Sequence, residues 1–111
     1  LVGGASRGHG PFGEFEVSVV DASHPLAKDV PATFRIEDEL YRFEIDPKGA
    51  AIHVIAVGRS LDGKEEWPVV WTVAREKGRT ACITLGHDER AHSNASYQKL
   101  YVNAARWVRE R

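Results

Sequence analysis

The chain contains no methionine, a single cysteine and no apolar run approaching the roughly 20 residues that a membrane-spanning helix requires. Without methionine, Leu1 is not expected to be an intact translation start, and a tag, a processed segment or a first half of a domain is expected to precede it. The lone Cys82 has no internal partner for a disulfide, and the N-terminus lacks the charged and apolar regions of a signal peptide, so the cytoplasm is the expected location. An excess of charge of either sign is also missing. Lys and Arg number 15 against 16 Asp and Glu, which leaves no broad electrostatic footprint for nucleic acid or an anionic membrane.

What is present is ordinary globular composition: 111 residues, 42% of them hydrophobic, suffice for one core rather than two. No internal repeat, low-complexity tract or linker divides the chain, so 1–111 reads as a single domain with 1–14 as a flexible, glycine-rich lead-in. Gly3 to Pro11 carries too many glycines for regular structure and is expected to be a loop suited to closing over something. Phe15 to Val20 alternates in polarity and predicts a strand, which Asp21 to Pro25 breaks. Phe34, Ile36, Leu40, Tyr41, Phe43 and Ile45 surround Glu37, Asp38 and Glu39, a pattern that predicts a turn at the acids and a strand after them. Ile52 to Val57 predicts a short apolar strand, and Arg59 to Glu66 a polar connection with an exposed tip.

Residues 68–85 read as a hairpin that turns at Glu76, Lys77 and Gly78. Tyr97, Leu100, Tyr101, Ala104, Trp107 and Val108 recur at spacings of three and four and predict a terminal helix, with Ser93 or Asn94 placed to cap it. Its apolar face must cover the sheet.

The run Leu85, Gly86, His87, Asp88, Glu89 carries the leading functional signal. His87 follows Gly86 at a predicted strand end, where side chains of α/β sheets project into the ligand crevice. The alternative reading is a strand-terminating turn in which Asp88 caps local backbone donors. His87 and His92, with Asp88 and Glu89 between them, do not have the helical two-histidine zinc spacing, so a divalent metal near His87 is possible but not indicated, and no other cofactor is expected. Asp38 and Glu39 read either as acid and base or as solvated charges between two apolar stretches. Trp67 and Trp71 lie four apart, which on a strand places them on one face, with at least one expected in the core rather than as a sugar platform. Lys77, Gly78, Arg79 lacks the spacing of a phosphate loop, and Asn94, Ala95, Ser96 is explained by a helix start rather than by glycosylation. Cys82 lies mid-strand among apolar neighbours and reads as a small buried side chain, which leaves no covalent nucleophile.

Taken in order, Asp38-Glu39-Leu40-Tyr41, the stretch Pro68 to Thr72, the turn Lys77-Gly78-Arg79, the run Thr84 to Arg90, and the closing Ser93, Asn94, Gln98, Lys99, Leu100 and Trp107 resemble ThuA-like proteins, the trehalose-utilisation family. The resemblance spans nearly all of the chain, with Ala5, Ser6 and Glu76 departing from the family's pattern. It implies the C-terminal half of a three-layer, class I glutamine amidotransferase-like (flavodoxin-like) α/β sandwich, strand-rich here, with a β-hairpin and a long C-terminal helix. It also implies that His87 sits where the amidotransferase fold keeps its catalytic histidine, while a cysteine nucleophile would belong to the absent half, so glutaminase activity is not implied. The implied pocket for a small carbohydrate, trehalose or a related keto-sugar, has His87 and Glu39 as catalytic groups and Tyr41, Asp88, Trp71 and His9 as substrate-binding ones. This transfer rests on fold analogy.

Three functions follow as expectations. The first is a sugar-processing domain in which His87 moves a proton, and the second a sugar- or partner-binding module without turnover. The third is a truncated domain with a structural role, stabilised by self-association as a homodimer.

Overall fold

The structure, a computed structural model, describes residues 4–9, 12–45, 51–73, 79–86 and 89–109. Period-two alternation accounts for the strands that open the main sheet. In β2 (Gly13–Val19), Phe15 and Val17 are buried while Glu14 is exposed, and in β3 (Thr33–Asp38) Ile36 and Asp38 are buried while Arg35 and Glu37 are exposed. β2 pairs with β3 on one side and with β5 (Ile52–Ser60) on the other. β6 (Glu66–Val73) and β7 (Thr80–Ile83) complete a five-stranded antiparallel sheet in the order β3-β2-β5-β6-β7. The expected hairpin over 68–85 is therefore present, its tip at 74–78 lying outside the described residues.

The glycine-rich start is not the loop expected from its composition. Gly4–His9 forms strand β1, which pairs antiparallel with β4 (Tyr41–Ile45) as a separate two-stranded ribbon. Main-chain hydrogen bonds to β4 satisfy its backbone without needing large side chains. The register slips between Ser6 and His9, where Gly8 takes φ +92°, a conformation open to glycine. The acidic stretch also differs from expectation: β3 runs through Asp38, and only Glu39 and Leu40 separate it from β4, as the chain passes from the sheet to the ribbon.

The two faces of the sheet are covered differently. Trp71 on β6 stacks on Phe43 of β4, with ring centroids 4.2 Å apart, and Val73 joins the same small cluster. Arg42 on β4 reaches across to Glu65 through two hydrogen bonds, tying the ribbon to the connection before β6. Cys82 lies directly opposite Trp71 and packs against this cluster; Ala81 and Ile83 alternate to the other face and border the C-terminal helix. β6 is thus buried on both sides, which is why it reads as a continuous apolar run.

That helix, α2 (Ala95–Arg109), buries Tyr97, Leu100, Asn103 and Ala104 at spacings of three and four. The expected cap is Asn94: its Oδ1 accepts from the N–H groups of Ser96 and Tyr97, both at 3.0 Å. Its Nδ2 donates to the Arg35 carbonyl at 2.8 Å and so fastens the helix start to β3. Asn103 donates to the carbonyls of Leu26 and Lys28, fixing the 3-10 turn Pro25–Ala27 against the helix. No helix among the described residues is long and apolar enough to cross a membrane.

β5 extends past the expected end at Val57 because Gly58 admits close packing. A Cβ at Gly58 would lie 2.7 Å from Leu40 Cδ1, 2.9 Å from Val69 Cγ1 and 3.1 Å from Phe15 Cε1. Gly58→Ala is therefore expected to destabilise the fold by about 1–3 kcal/mol through overpacking. Urea denaturation checks this, and an unchanged midpoint would show that Leu40 swings away freely.

Candidate functional site

β7 ends at Ile83, short of the strand end expected beside His87, and the chain that follows is held at Gly86 from three directions. Asp38 is fully buried, and its two carboxylate oxygens accept from different segments: Oδ1 from the Glu39 N–H at 2.8 Å and Oδ2 from the Gly86 N–H at 2.7 Å. A buried carboxylate without such donors would be costly, and backbone N–H groups supply charge-assisted bonds. On the other side of the same residue, His92 Nε2 lies 2.9 Å from the Gly86 carbonyl. A carbonyl only accepts, so Nε2 carries the proton in this contact. Gly86 itself has φ +101°, a value L side chains rarely adopt, and a Cβ there would fall 2.6 Å from the Tyr97 hydroxyl, so any other residue would be strained and would push the Tyr97 ring aside.

Around this clamp the structure gathers part of the expected site. Glu39 is 8% exposed, so the reading of Asp38 and Glu39 as solvated charges does not hold. Tyr41 opens β4 half-buried, and His9 is its Cα partner across the ribbon. Leu85 is buried just before Gly86. His87 and Asp88 lie outside the described residues, as does the His9 side chain. Trp71 is 2% exposed and stacks on Phe43, so its ring is core that backs the ribbon, two residues along β4 from Tyr41. Trp67 packs against the larger cluster and Trp71 belongs to the smaller one.

Burial raises the Tyr97 hydroxyl above its ordinary pKa, with the nearby Tyr101 and Asp38 adding to the effect. Thr84 Oγ1 is buried with no hydrogen-bond partner among the described residues. A polar cleft beside α1 (Glu89–His92) is bordered by Glu14, Arg35, Glu37, Arg90, Ser93 and Asn94. Among the described residues no three His, Cys, Asp or Glu side chains come together in a way that could hold a metal ion.

A second titratable group gave no signal in the sequence, because its members are dispersed along the chain. Asp21 Oδ2 lies 2.6 Å from His53 Nε2, and the His24 ring lies 5.8 Å from that of His53 and 5.3 Å from Trp107. The Arg79 guanidinium stands 5.0 Å from the centre of the Trp107 ring. Burial chiefly pushes the His24 pKa down, and its Nδ1 accepts the Leu26 N–H, a contact that protonation would break.

The fold and this strand-end geometry define a strand-rich α/β unit with a C-terminal helix. The family model for ThuA, trehalose utilisation, matches residues 1–108, and the chain belongs to that family. The crystal structure of a protein described as ThuA-like from Parabacteroides merdae ATCC 43184 superposes with a TM-score of 0.76 at 27% identity, over 96% of this chain and 40% of that one. A second, from Bacteroides uniformis ATCC 8492, gives 0.73 at 22% identity over 96% and 48%, a likeness of fold alone. The chain spans less than half the length of either. No curated protein matches it.

The Asp21 carboxyl is pushed down to about 2, first by the Ser23 hydroxyl and then by His53. A carboxyl depressed in the folded state stabilises the fold above its ordinary value of 3.8, and that contribution disappears as the pH falls toward 2. Denaturation of wild type and Asp21→Asn across this range is expected to show their difference shrinking with acidity. A gap that stays constant with pH would contradict the assignment.

Proposed function

We propose that the chain forms the part of a ThuA-like domain that binds or processes a small carbohydrate, trehalose or a related keto-sugar, beside His87. In this reading His87 moves a proton, Glu39 orients or assists it, and Tyr41 and Asp88 hydrogen-bond sugar hydroxyls, with His9 completing the wall. Trp71 supports that wall from behind through Phe43 rather than stacking on the sugar. The observation that carries the reading is the Asp38 bridge, which places Gly86, the residue before His87, on the same carboxylate as the Glu39 N–H. A cytoplasmic location belongs to the same proposal.

Calorimetric titration with trehalose and with a keto-sugar tests it. His87→Ala and Glu39→Gln are each expected to weaken binding or any turnover by about 100-fold. Unchanged binding and turnover in both variants would end this reading.

Self-association is a second reading, favoured by one specific observation. Tyr101, Val102 and Val108 of α2 are 60%, 46% and 38% exposed, and Tyr101 and Val108 border a groove whose floor includes Ala81 and Ile83 of the edge strand β7. An edge strand beside an exposed apolar strip favours a second copy of the chain. Sedimentation is expected to give a dimer that Tyr101→Glu converts to monomer. A wild-type monomer at high micromolar concentration would rule this out.

A further inference from the structure

The 3-10 turn Pro25–Ala27 seats Leu26 in the core, where it is fully buried. The Leu26 N–H donates to His24 Nδ1 at 3.1 Å, which caps the turn. Nδ1 accepts only while it holds a lone pair, so the imidazole is neutral here and carries its proton on Nε2. An imidazolium would set one N–H against another. The carbonyls of Leu26 and Lys28 accept from Asn103 Nδ2, both at 2.9 Å, and Asn103 is buried on α2. A shift of the turn would therefore leave a buried amide of the helix short of acceptors.

We propose that His24 is a pH-sensitive latch between the Pro25–Ala27 turn and α2, closed while the ring is neutral and released when it takes up a proton. The groups that face the ring come from several segments. Asp21 belongs to its own loop, His53 to β5 and Arg79 to the segment before β7, while α2 presents the uncharged Trp107 ring at 5.3 Å. Asp21 favours a cation, but both of its oxygens are already engaged, Oδ1 by Ser23 and Oδ2 by His53. Burial opposes a cation most strongly, and the positive charges of His53 and Arg79 add to that opposition. With its pKa in the fold held below the ordinary 6.5, His24 binds a proton more readily once the turn has opened. The latch therefore contributes fully above 6.5, and its contribution is lost as the pH falls from there through the value in the fold. The inference is independent of the carbohydrate reading.

The test is amide exchange followed by NMR between about pH 8 and about pH 5, the range in which histidine changes charge. Protection of the Leu26 amide, taken relative to its intrinsic rate, is expected to fall by about tenfold toward acid in the wild type. The Val70 amide, on β6 between β5 and β7, is expected to keep its protection. His24→Asn retains a side chain that caps well but does not titrate, and it is expected to abolish the fall. His53→Asn removes the neighbouring titration while leaving His24, and it is expected to keep the fall. Constant Leu26 protection in the wild type would overturn the proposal, as would a fall that persists in His24→Asn or one that disappears in His53→Asn. Loss of Val70 protection in step with Leu26 would overturn it too, because the whole sheet would then be opening. Should His24→Asn not fold, the wild type decides through the His24 ring signals. A midpoint shared by the ring and the Leu26 protection supports the latch, and separate midpoints overturn it.

Discussion

The buried Asp38 carboxylate is the constraint around which the other segments arrange themselves. A carboxyl group away from water must find hydrogen-bond partners, and both of its oxygens take backbone N–H groups, one from the next residue and one from the far end of the chain's main hairpin. β3 therefore cannot end, β4 cannot begin and β7 cannot close independently of one another. Tyr97 lies against Gly86 and Asn94 bonds the Arg35 carbonyl, so the start of α2 is committed to the same corner. Breaking one of these bonds would leave a buried polar group less well satisfied, which typically costs more than the bond itself contributes.

Away from that corner, the sheet is stabilised by burial on two faces with different partners. The β1–β4 ribbon covers β6 through Phe43 and Trp71, and α2 covers the other side through Leu100 and Ala104. The helix does not spend all its apolar surface inward. Tyr101, Val102 and Val108 remain open next to the edge strand, in a chain that spans less than half the length of its structural relatives. Under the proposed self-association, a second copy of the chain would cover that surface.

Several elements were legible because their physics is local. The alternation of β2, the apolar run of β6, the pairing of β6 with β7 and the Asn94 cap depend on neighbours a few residues away. The glycine-rich β1 was not legible, since its hydrogen bonds come from a strand more than 30 residues later. β5 runs beyond the end expected at Val57 for a similar reason: Gly58 packs under Leu40, Val69 and Phe15, none of them a neighbour in sequence. The burial of Asp38 did leave a trace, as it continues the inward register of Phe34 and Ile36, but a carboxylate at that position resembles a turn residue until its donors are known.

By itself, the order of residues determined the family, the mixed α/β class and the terminal helix, because motif spacing and hydrophobic period are properties of a linear chain. Only the tertiary structure decided that Asp38 and Glu39 are buried, that Trp71 is core and that the first residues form a ribbon. Each of those depends on groups brought together from distant parts of the chain. Whether a polar side chain is solvated or bonded in the interior is settled by the donors that folding delivers to it, not by its neighbours in sequence.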